Sequence, residues 1–276
     1  MKIAVLSDVH GNVPALDAVL EDLLAWRPDE IIVNGDLVSR GPYSLRCLRR
    51  LQAAVPRCRY IKGNHESFVV ACADTPPDPG HPTFELSSFA QWTARQLGDA
   101  VDELRRWSEH FELTDTDGGS IHVTHGSRLG NRDGIHPHLD DDELAPRLGD
   151  AGDLFVGSHT HLPLTRRFNG TLVVNTGSVG QPLDGDARAA YGRFVYRHGR
   201  WHAQIARVAY DRERAVRDFH DSGFLEQCGP LARLIHLEVA QSRMHVGRWM
   251  ARYLGAVKSE RITVAAAVGE YLRRAA

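Results

Sequence analysis

Three short apolar segments near the N-terminus each end in a polar loop, and the first two are followed by helical patterns. The segments cover residues 3–6, 31–33 and 59–61, and apolar residues recur at helical spacing from Leu16 to Leu24. Strands that alternate with helices in this way form parallel pairs joined by right-handed crossovers. This alternation constrains the fold more than any other feature. It predicts an α/β protein with a mainly parallel sheet.

Polar side chains gather where the predicted strands end. In sheets of this kind, ligands bind beyond the carboxyl ends of the strands. A glycine lies next to or near each cluster, and glycine lets the backbone turn sharply so that side chains can converge. We expect these residues to form one site: Asp8, His10, Asp36, Asn64, His65, His125, His159 and His161.

Mixed imidazole and carboxylate ligands predict divalent transition metals rather than Mg or Ca. The set is too large for one tetrahedral zinc, and it suits two ions that share a carboxylate. No cysteine belongs to it, which argues against a purely structural zinc. A two-metal site can bind both the attacking oxygen and the phosphoryl oxygens of an in-line displacement.

The remaining chain divides into three parts. Turn-forming residues at 74–80 open an insertion, residues 75–110, which continues as a helical pattern and is either a lid over the site or a helix packed at the edge of the fold. Strands dominate from residue 111 to about 210, and they predict a second sheet packed on the first with helices outside. The chain then becomes helical, and residues 211–276 are expected to form a C-terminal extension.

One apolar face of that extension follows helical spacing. It either packs against the flank of the same chain or forms a homodimer interface. The face is made of Val246, Trp249, Met250, Tyr253 and Leu254.

Charge and hydropathy exclude several classes of protein. The net charge is −2 with acids and bases interspersed, so there is no broad basic footprint for nucleic acid. No apolar run approaches the length of about 18 residues that indicates a membrane helix. The four cysteines form no CxxC pair, which fits a reducing compartment. We expect a soluble, cytoplasmic protein with no membrane partner.

The sequence resembles the calcineurin-like metallophosphoesterase superfamily. The resemblance covers residues 1 to about 210 and implies a metallophosphoesterase domain over 1–210. The implied fold class is α/β, a four-layer α-β-β-α sandwich of two mixed β-sheets flanked by helices. Five motifs carry it in the family's order: Asp8-x-His10-Gly11-Asn12, Gly35-Asp36-x-x-x-Arg40-Gly41-Pro42, Gly63-Asn64-His65-Glu66, His125-Gly126 and His159-Thr160-His161.

The stretch at residues 175–182 looks like the segment that follows the last histidine motif in small bacterial and archaeal phosphodiesterase-like members. Two residues depart from the pattern. Ser158 stands where the family usually has glycine, and Thr176 replaces the proline of an Asn-Pro-Gly-Ser sequence. Neither change removes a ligand, but Ser158 could alter the turn before His159.

The resemblance also implies roles for the candidate residues. Asp8, His10 and His161 would hold one metal and Asn64, His125 and His159 the other, with Asp36 bridging both. His65 would donate a proton to the leaving oxygen, and a hydroxide between the metals would attack. Arg40 and Asn12 would bind substrate. Two divalent transition-metal ions are implied, Mn first, with Fe, Ni, Co or Zn as alternatives.

The substrate remains open at this point. The first prediction is metal-dependent hydrolysis of a phosphodiester or a nucleotide-type small phosphoester. Arg40 and Glu66 extend the match toward Ser/Thr protein phosphatases and diadenosine polyphosphate hydrolases, which are the alternatives. A non-catalytic protein-binding scaffold is the alternative of another class, since a fold alone does not fix function. The presence of His65 and of all seven ligand positions favours an enzyme.

Overall fold

In a computed structural model, which describes residues 1–114 and 118–275, the N-terminal part of the chain alternates three strands with three helices. The first three strands are parallel to one another, as the sequence predicts. Residues 115–117 of the predicted domain and Ala276 of the predicted extension lie outside the described residues. The elements are β1 (Lys2–Leu6), α1 (Val13–Trp26), β2 (Glu30–Asn34), α2 (Ser44–Ala54), β3 (Arg59–Ile61) and α3 (Asn64–Asp74).

The insertion forms two helices rather than one. A 3₁₀ turn at Phe84–Ser87 leads into α4 (Ser88–Leu97), and a second at Gly98–Ala100 leads into α5 (Val101–Arg105). The helix α4 ends at Leu97 because Gly98 follows with a φ of +51°, a left-handed value that glycine adopts without steric cost.

The next elements form a second sheet. They are β4 (His110–Thr114), β5 (Ser120–Thr124), α6 (Asp141–Leu148), β6 (Leu154–Gly157), β7 (Leu164–Phe168) and β8 (Thr171–Asn175). The strand order is β4-β5-β6-β8-β7. The three central strands are parallel and the two edge strands antiparallel, so the sheet is mixed. The sequence predicted neither α6 nor β7.

A hairpin then returns the chain to the first sheet. It consists of β9 (Ala189–Arg197) and β10 (Arg200–Val208), and β9 pairs antiparallel with β1. His198 and Gly199 connect the strands with φ values of +53° and +71°, which a two-residue type I′ turn requires. The first sheet therefore has the order β10-β9-β1-β2-β3 and is mixed as well.

The two sheets pack face to face. Because side chains alternate along a strand, Ile3 and Val5 of β1 point toward the second sheet, whereas Ala4 and Leu6 point toward the helices. Val123 of β5 joins the cluster between the sheets. The predicted four-layer α-β-β-α sandwich is thereby confirmed.

The remaining described chain is helical. Trp249 and Tyr253 are buried in the same apolar cluster as Leu16 of α1, so the apolar face predicted for the extension packs on its own chain. No helix within the described ranges combines the length and apolarity needed to cross a membrane. The helices are α7 (Arg212–Asp221), α8 (Phe224–Gln227), α9 (Ala232–Gln241), α10 (Val246–Lys258) and α11 (Val264–Ala275).

Candidate metal centre

The loops after β1, β2, β5 and β6 meet the N-terminus of α3 at one edge of the sandwich, and they bring the predicted ligands together. Two groups of three residues place one ligand atom each within 4.8 Å of one another. All of these residues are buried except His159, which is half-buried. The groups are Asp8, His10 and His161, and Asp36, His125 and His159.

The first group crowds two imidazoles against a carboxylate. His161 Nε2 lies 3.2 Å from Asp8 Oδ1 and 3.3 Å from His10 Nε2. Asp8 Oδ1 is buried and has no hydrogen-bond partner among the described residues. A buried carboxylate oxygen without a partner is costly in a protein interior. Its position beside two ring nitrogens is therefore that of an oxygen able to coordinate a cation.

The second group is joined to the first through Asp36. Its Oδ2 lies 3.3 Å from His125 Nε2 in its own group and 3.8 Å from His10 Nε2 in the other. Asn64 adds an amide oxygen, since its Oδ1 lies 3.1 Å from His125 Nε2. One carboxylate oxygen thus lies within 4 Å of ring nitrogens from both groups.

The ligand residues themselves carry the sharp turns at this edge. Asp8, His10, Asp36, His159 and His161 have φ values between +49° and +67°. Such left-handed conformations are unfavourable for residues with a Cβ and cluster at functional sites.

Neighbouring glycines allow this arrangement in two ways. Gly35 has a φ of +79°, so it also turns the chain. Gly63 instead permits a close approach, because a Cβ there would lie 2.2 Å from Asp36 Oδ1. The turns at this edge are thus made by glycines and by the candidate ligands together.

Three ligand histidines are oriented by main-chain carbonyls. Nδ1 of His10 lies 3.2 Å from Ser39 O, that of His125 lies 2.8 Å from Asn34 O, and that of His161 lies 2.6 Å from Gln181 O. A carbonyl only accepts, so Nδ1 carries the proton in each case. The Nε2 lone pair is left facing the ligand group, as metal-binding histidines require.

Burial and charge set the protonation of the site. Burial lowers the pKa of His159 to about 4 and holds that of His10 well below its usual value. Burial also opposes charge on His125, but the carboxylate of Asp36 outweighs it and raises the pKa of His125 to about 10. Burial would raise the pKa of Asp36, yet the charges of His125 and His65 hold it well below its usual range. Burial thus leaves His10 and His159 neutral and able to coordinate, whereas an ion at the second group would take the place of the proton that Asp36 stabilises on His125.

His65 lies beside the ligands at the start of α3. Its main-chain N–H donates to Asp36 Oδ1 at 2.8 Å, and its Nδ1 lies 3.3 Å from Ser39 Oγ. The ring meets that of His10 edge-on at 5.1 Å, and Phe89 of α4 covers it from 5.9 Å. Burial lowers the pKa of His65 to about 3.

The two residues predicted to bind substrate have partners within the protein. Asn12 caps α1, accepting from Ala15 N at 3.1 Å and donating to Gly180 O at 2.8 Å. Arg40 lies on the loop after β2 and forms an ion pair with Glu238 of α9. Their contacts to substrate stay predictions.

Several supporting residues were missed or assigned no role by sequence reasoning. Glu66 accepts hydrogen bonds from the main-chain N–H of Asp36 at 2.7 Å and of Gly63 at 2.8 Å, and so fixes the loop that carries Asp36. Its position three residues after Gly63 is the spacing of a capping box, which could have indicated this role. No sequence signal indicates Glu238, because 198 residues separate it from Arg40.

The two departures from the family pattern contact each other. Ser158 Oγ lies 3.1 Å from Thr176 Oγ1 and accepts from Asn34 Nδ2 at 2.8 Å. Thr176 Oγ1 also lies 3.0 Å from Ser7 Oγ. These hydroxyls form a buried network beneath the loop of His159, and Ser158 itself does not adopt a left-handed φ.

Comparison with known proteins identifies a family and a fold. The profile of the family described as calcineurin-like phosphoesterase superfamily domain matches residues 1–196. A solved metallophosphoesterase from Sphaerobacter thermophilus superposes with a TM-score of 0.68 at 25% identity, covering 88% of this chain and 100% of that one.

Curated relatives carry two kinds of name. Phosphodiesterase YfcE of Escherichia coli is 25% identical over 198 residues, which is 70% of this chain and 86% of the relative. A symmetrical bis(5'-nucleosyl)-tetraphosphatase of Serratia proteamaculans is 33% identical over 125 residues. That match covers 41% of this chain and 44% of the relative, so the likeness is to less than half of that protein.

Proposed function

The chain belongs to the calcineurin-like phosphoesterase superfamily, and we propose that it is a two-metal phosphodiesterase acting on a small phosphodiester or nucleotide-type substrate. The observation that carries the proposal is the position of Asp36 Oδ2, within 4 Å of ring nitrogens from both ligand groups. A bridging carboxylate is what a pair of ions acting on one phosphoryl group needs.

The residues fit divalent ions of the manganese type. Imidazole with carboxylate and amide oxygen suits Mn, Fe, Ni, Co or Zn, and we propose Mn. Asp8, His10 and His161 would hold one ion, and Asn64, His125 and His159 the other, with Asp36 shared. Such ions, when bound, make an attacking water easier to deprotonate near neutral pH and neutralise charge on the phosphoryl oxygens.

The chain's own groups would handle the proton and the substrate. We propose that His65 donates a proton to the leaving oxygen, because its ring lies between His10 and Phe89 beside both ligand groups. Burial lowers the pKa of His65 to about 3 although the charge of Asp36 opposes this shift, and the charge of a bound anionic substrate would raise the pKa and so favour the protonated ring. Arg40 would bind phosphoryl oxygens through its planar guanidinium, which forms paired hydrogen bonds with such groups.

A second candidate substrate class is the dinucleoside polyphosphates. The partial likeness to the tetraphosphatase supports it, since that match has a higher identity than the match to the phosphodiesterase. The scaffold alternative finds no support, because no predicted ligand has been lost and the site retains His65.

We further propose the organisation and setting of the protein. Residues 1–210 would be the catalytic domain, with 75–110 as its insertion and 211–276 as the extension. The four cysteines are free thiols, three of them buried, which supports a reducing location such as the cytoplasm. With interspersed charges, the partner would be a small phosphoester rather than nucleic acid.

The test is a substrate panel with the manganese-loaded protein. It would compare bis-p-nitrophenyl phosphate, a phosphomonoester, cyclic nucleotides and dinucleoside polyphosphates, with and without chelator. We expect diester hydrolysis that chelator abolishes and manganese restores. Absence of turnover with each of the five metals would reject the proposal.

His65→Ala tests the proton donor in the same assay. We expect the rate to fall about 10²- to 10⁴-fold, the usual contribution of general acid catalysis, while both ions remain bound. His81→Ala, which removes an exposed imidazole from the insertion, is the matched control and should leave the rate unchanged. Loss of metal in the His65 variant would mean that its role is coordination.

A further inference from the structure

One carboxylate of the C-terminal extension contacts two residues, Arg40 and Gln181, that lie beside the metal centre. We propose that Glu238 of α9 is a positioning residue that holds the Arg40 guanidinium where it can bind the phosphoryl group of the substrate. This inference rests on the proposed function and adds a part of the chain that lies beyond the family match, which ends at residue 196.

Glu238 is completely buried, and four donors fix its carboxylate. Oε1 accepts the main-chain N–H groups of His245 and Val246, each at 2.7 Å. Oε2 accepts from Gln181 Nε2 at 2.9 Å and from Arg40. Negative charge is also stabilised at a helix N-terminus, and Val246 is the first residue of α10. The carboxylate is therefore held in one orientation inside the protein.

Arg40 belongs to a loop whose residues contact the metal centre. The carbonyl of Ser39 orients His10, and the hydroxyl of Ser39 lies 3.3 Å from His65 Nδ1. On the other side, Gly41 packs so tightly on His10 that a Cβ would lie 1.8 Å from the His10 carbonyl oxygen. The guanidinium that Glu238 holds thus belongs to the loop that orients a ligand and the proposed proton donor.

A second connection runs through Gln181. Its side chain donates to Glu238, and its main-chain oxygen accepts from His161 Nδ1. The turn after α9 also contacts the chain next to Gln181, since Gly185 N donates to Ser242 O at 2.9 Å. Glu238 is consequently bonded to Arg40, whose neighbour Ser39 orients His10, and to Gln181, which orients His161.

These contacts favour a Glu238 that positions Arg40 over one that blocks the access of substrate to it. A carboxylate fixed by two helix amides and an amide side chain cannot swing aside to admit a substrate. Arg40 Nε, in contrast, is buried without a hydrogen-bond partner among the described residues. The guanidinium therefore retains an uncommitted donor for an anion while one of its amino groups is held by Glu238.

The test measures binding of inorganic phosphate to the manganese-loaded, full-length protein by calorimetry, together with KM and kcat for bis-p-nitrophenyl phosphate. We expect Glu238→Gln to weaken phosphate binding and raise KM about tenfold, the order of one charge-assisted hydrogen bond, with a smaller change in kcat. Arg40→Ala should do the same, and the double variant should be no weaker than Arg40→Ala alone. Glu270→Gln, which changes a carboxylate within the extension that contacts Tyr253, is the matched control.

If Glu238 were purely structural, Glu238→Gln would lower the melting temperature but leave phosphate affinity and KM at wild-type values. That result would overturn the inference. Additive losses in the double variant would overturn it as well. If Glu238→Gln does not fold, Glu238→Asp retains the charge, retracts the carboxylate and should weaken phosphate binding in the same way. If the wild-type protein hydrolyses no phosphoester, the proposed function is rejected but this inference is not. Phosphate binding still decides whether Glu238 positions Arg40.

Discussion

At the scale of single residues, Asp36 connects the two ligand groups. Its Oδ1 accepts from the main chain of His65, and its Oδ2 lies between His10 and His125. Gly63 leaves the space that this carboxylate occupies. One side chain thus determines the spacing of the ligands and the orientation of the proposed proton donor.

Asp36→Asn tests this role with almost no change in volume. We expect both ions to be lost, because the amide removes the negative charge that the two groups share. Elemental analysis measures the metal content after the protein has been loaded with manganese and dialysed to remove unbound ions. Asp102→Asn, at an exposed carboxylate on α5, should retain both ions. Full retention of one ion in the Asp36 variant would reject the bridging assignment.

Ser158 and Thr176 show that two departures from a family pattern can compensate each other. Both hydroxyls are buried, and each has a hydrogen-bond partner in the other. Removing the Ser158 hydroxyl would leave Thr176 Oγ1 and Asn34 Nδ2 with one partner fewer each. We therefore assign the pair to the stability of the loop that carries His159.

Ser158→Ala should lower the free energy of unfolding by about 1–3 kcal/mol, the cost of leaving a buried polar group with a missing partner. Urea denaturation at neutral pH measures this. Thr176→Ser retains the hydroxyl and should cost less than the alanine change at Ser158. Equal stability of Ser158→Ala and wild type would mean that the network does not support the fold.

The sequence predicted which side chains meet at this edge better than it predicted the groups that support them, and the reason is geometric. Residues such as Asp8 and His125 follow parallel strands, whose carboxyl ends meet at one edge whatever the loops do. The carbonyls of Ser39 and Gln181 orient histidines through contacts that any residue type could make. Glu238 reaches Arg40 only through the packing of the extension, and no spacing rule describes such a contact.

At the scale of elements, the insertion is packed more firmly than a lid requires. Trp92 of α4 is buried and meets the ring of Phe224 in α8 edge-on at 5.3 Å. It is therefore core, and it is not free to stack on a nucleotide base. Phe89 on the same helix faces His65. The helix thus forms a wall of the site. That the insertion acts as a lid stays a prediction.

Trp92→Ala separates the two roles of α4. As a core residue, Trp92 should contribute about 3–5 kcal/mol to the free energy of unfolding. KM for a nucleotide-type substrate should be unchanged per folded molecule, because the ring faces Phe224. Arg95→Ala, at an exposed position of the same helix, should change neither quantity. A tenfold rise in KM without a loss of stability would instead support a base-stacking role.

The elements missed from the sequence were those with weak periodicity. The edge strand β7 alternates only between half-buried and exposed residues, so it lacks the apolar run that marks β6 or β8. The short helix α6 contains Pro146, which argues against a helix, yet Asp140 and Glu143 form a capping box that marks its start. Long or fully buried elements were predicted because burial on one or both faces leaves a readable pattern.

At the scale of the whole molecule, the extension and the sandwich share one interior. Residues of α7 to α11 belong to the same apolar cluster as α1 and α2, so the helices beyond residue 210 pack on the sandwich rather than on one another alone. The ion pair of Glu238 with Arg40 follows from this packing. The extension is therefore joined to the sandwich by apolar contacts and to the loop of Arg40 by an ion pair.

The same packing bears on the oligomeric state. Trp249 and Tyr253 are buried within the chain, and Met250, on the same face, is half-buried. A dimer through this face would have to expose that core first. We therefore expect light scattering to give one species near the chain mass of 30.7 kDa. Met250→Glu should leave that mass unchanged, because in a monomer the new charge disrupts no subunit interface. A species of about twice the mass that Met250→Glu dissociates would restore the dimer interface.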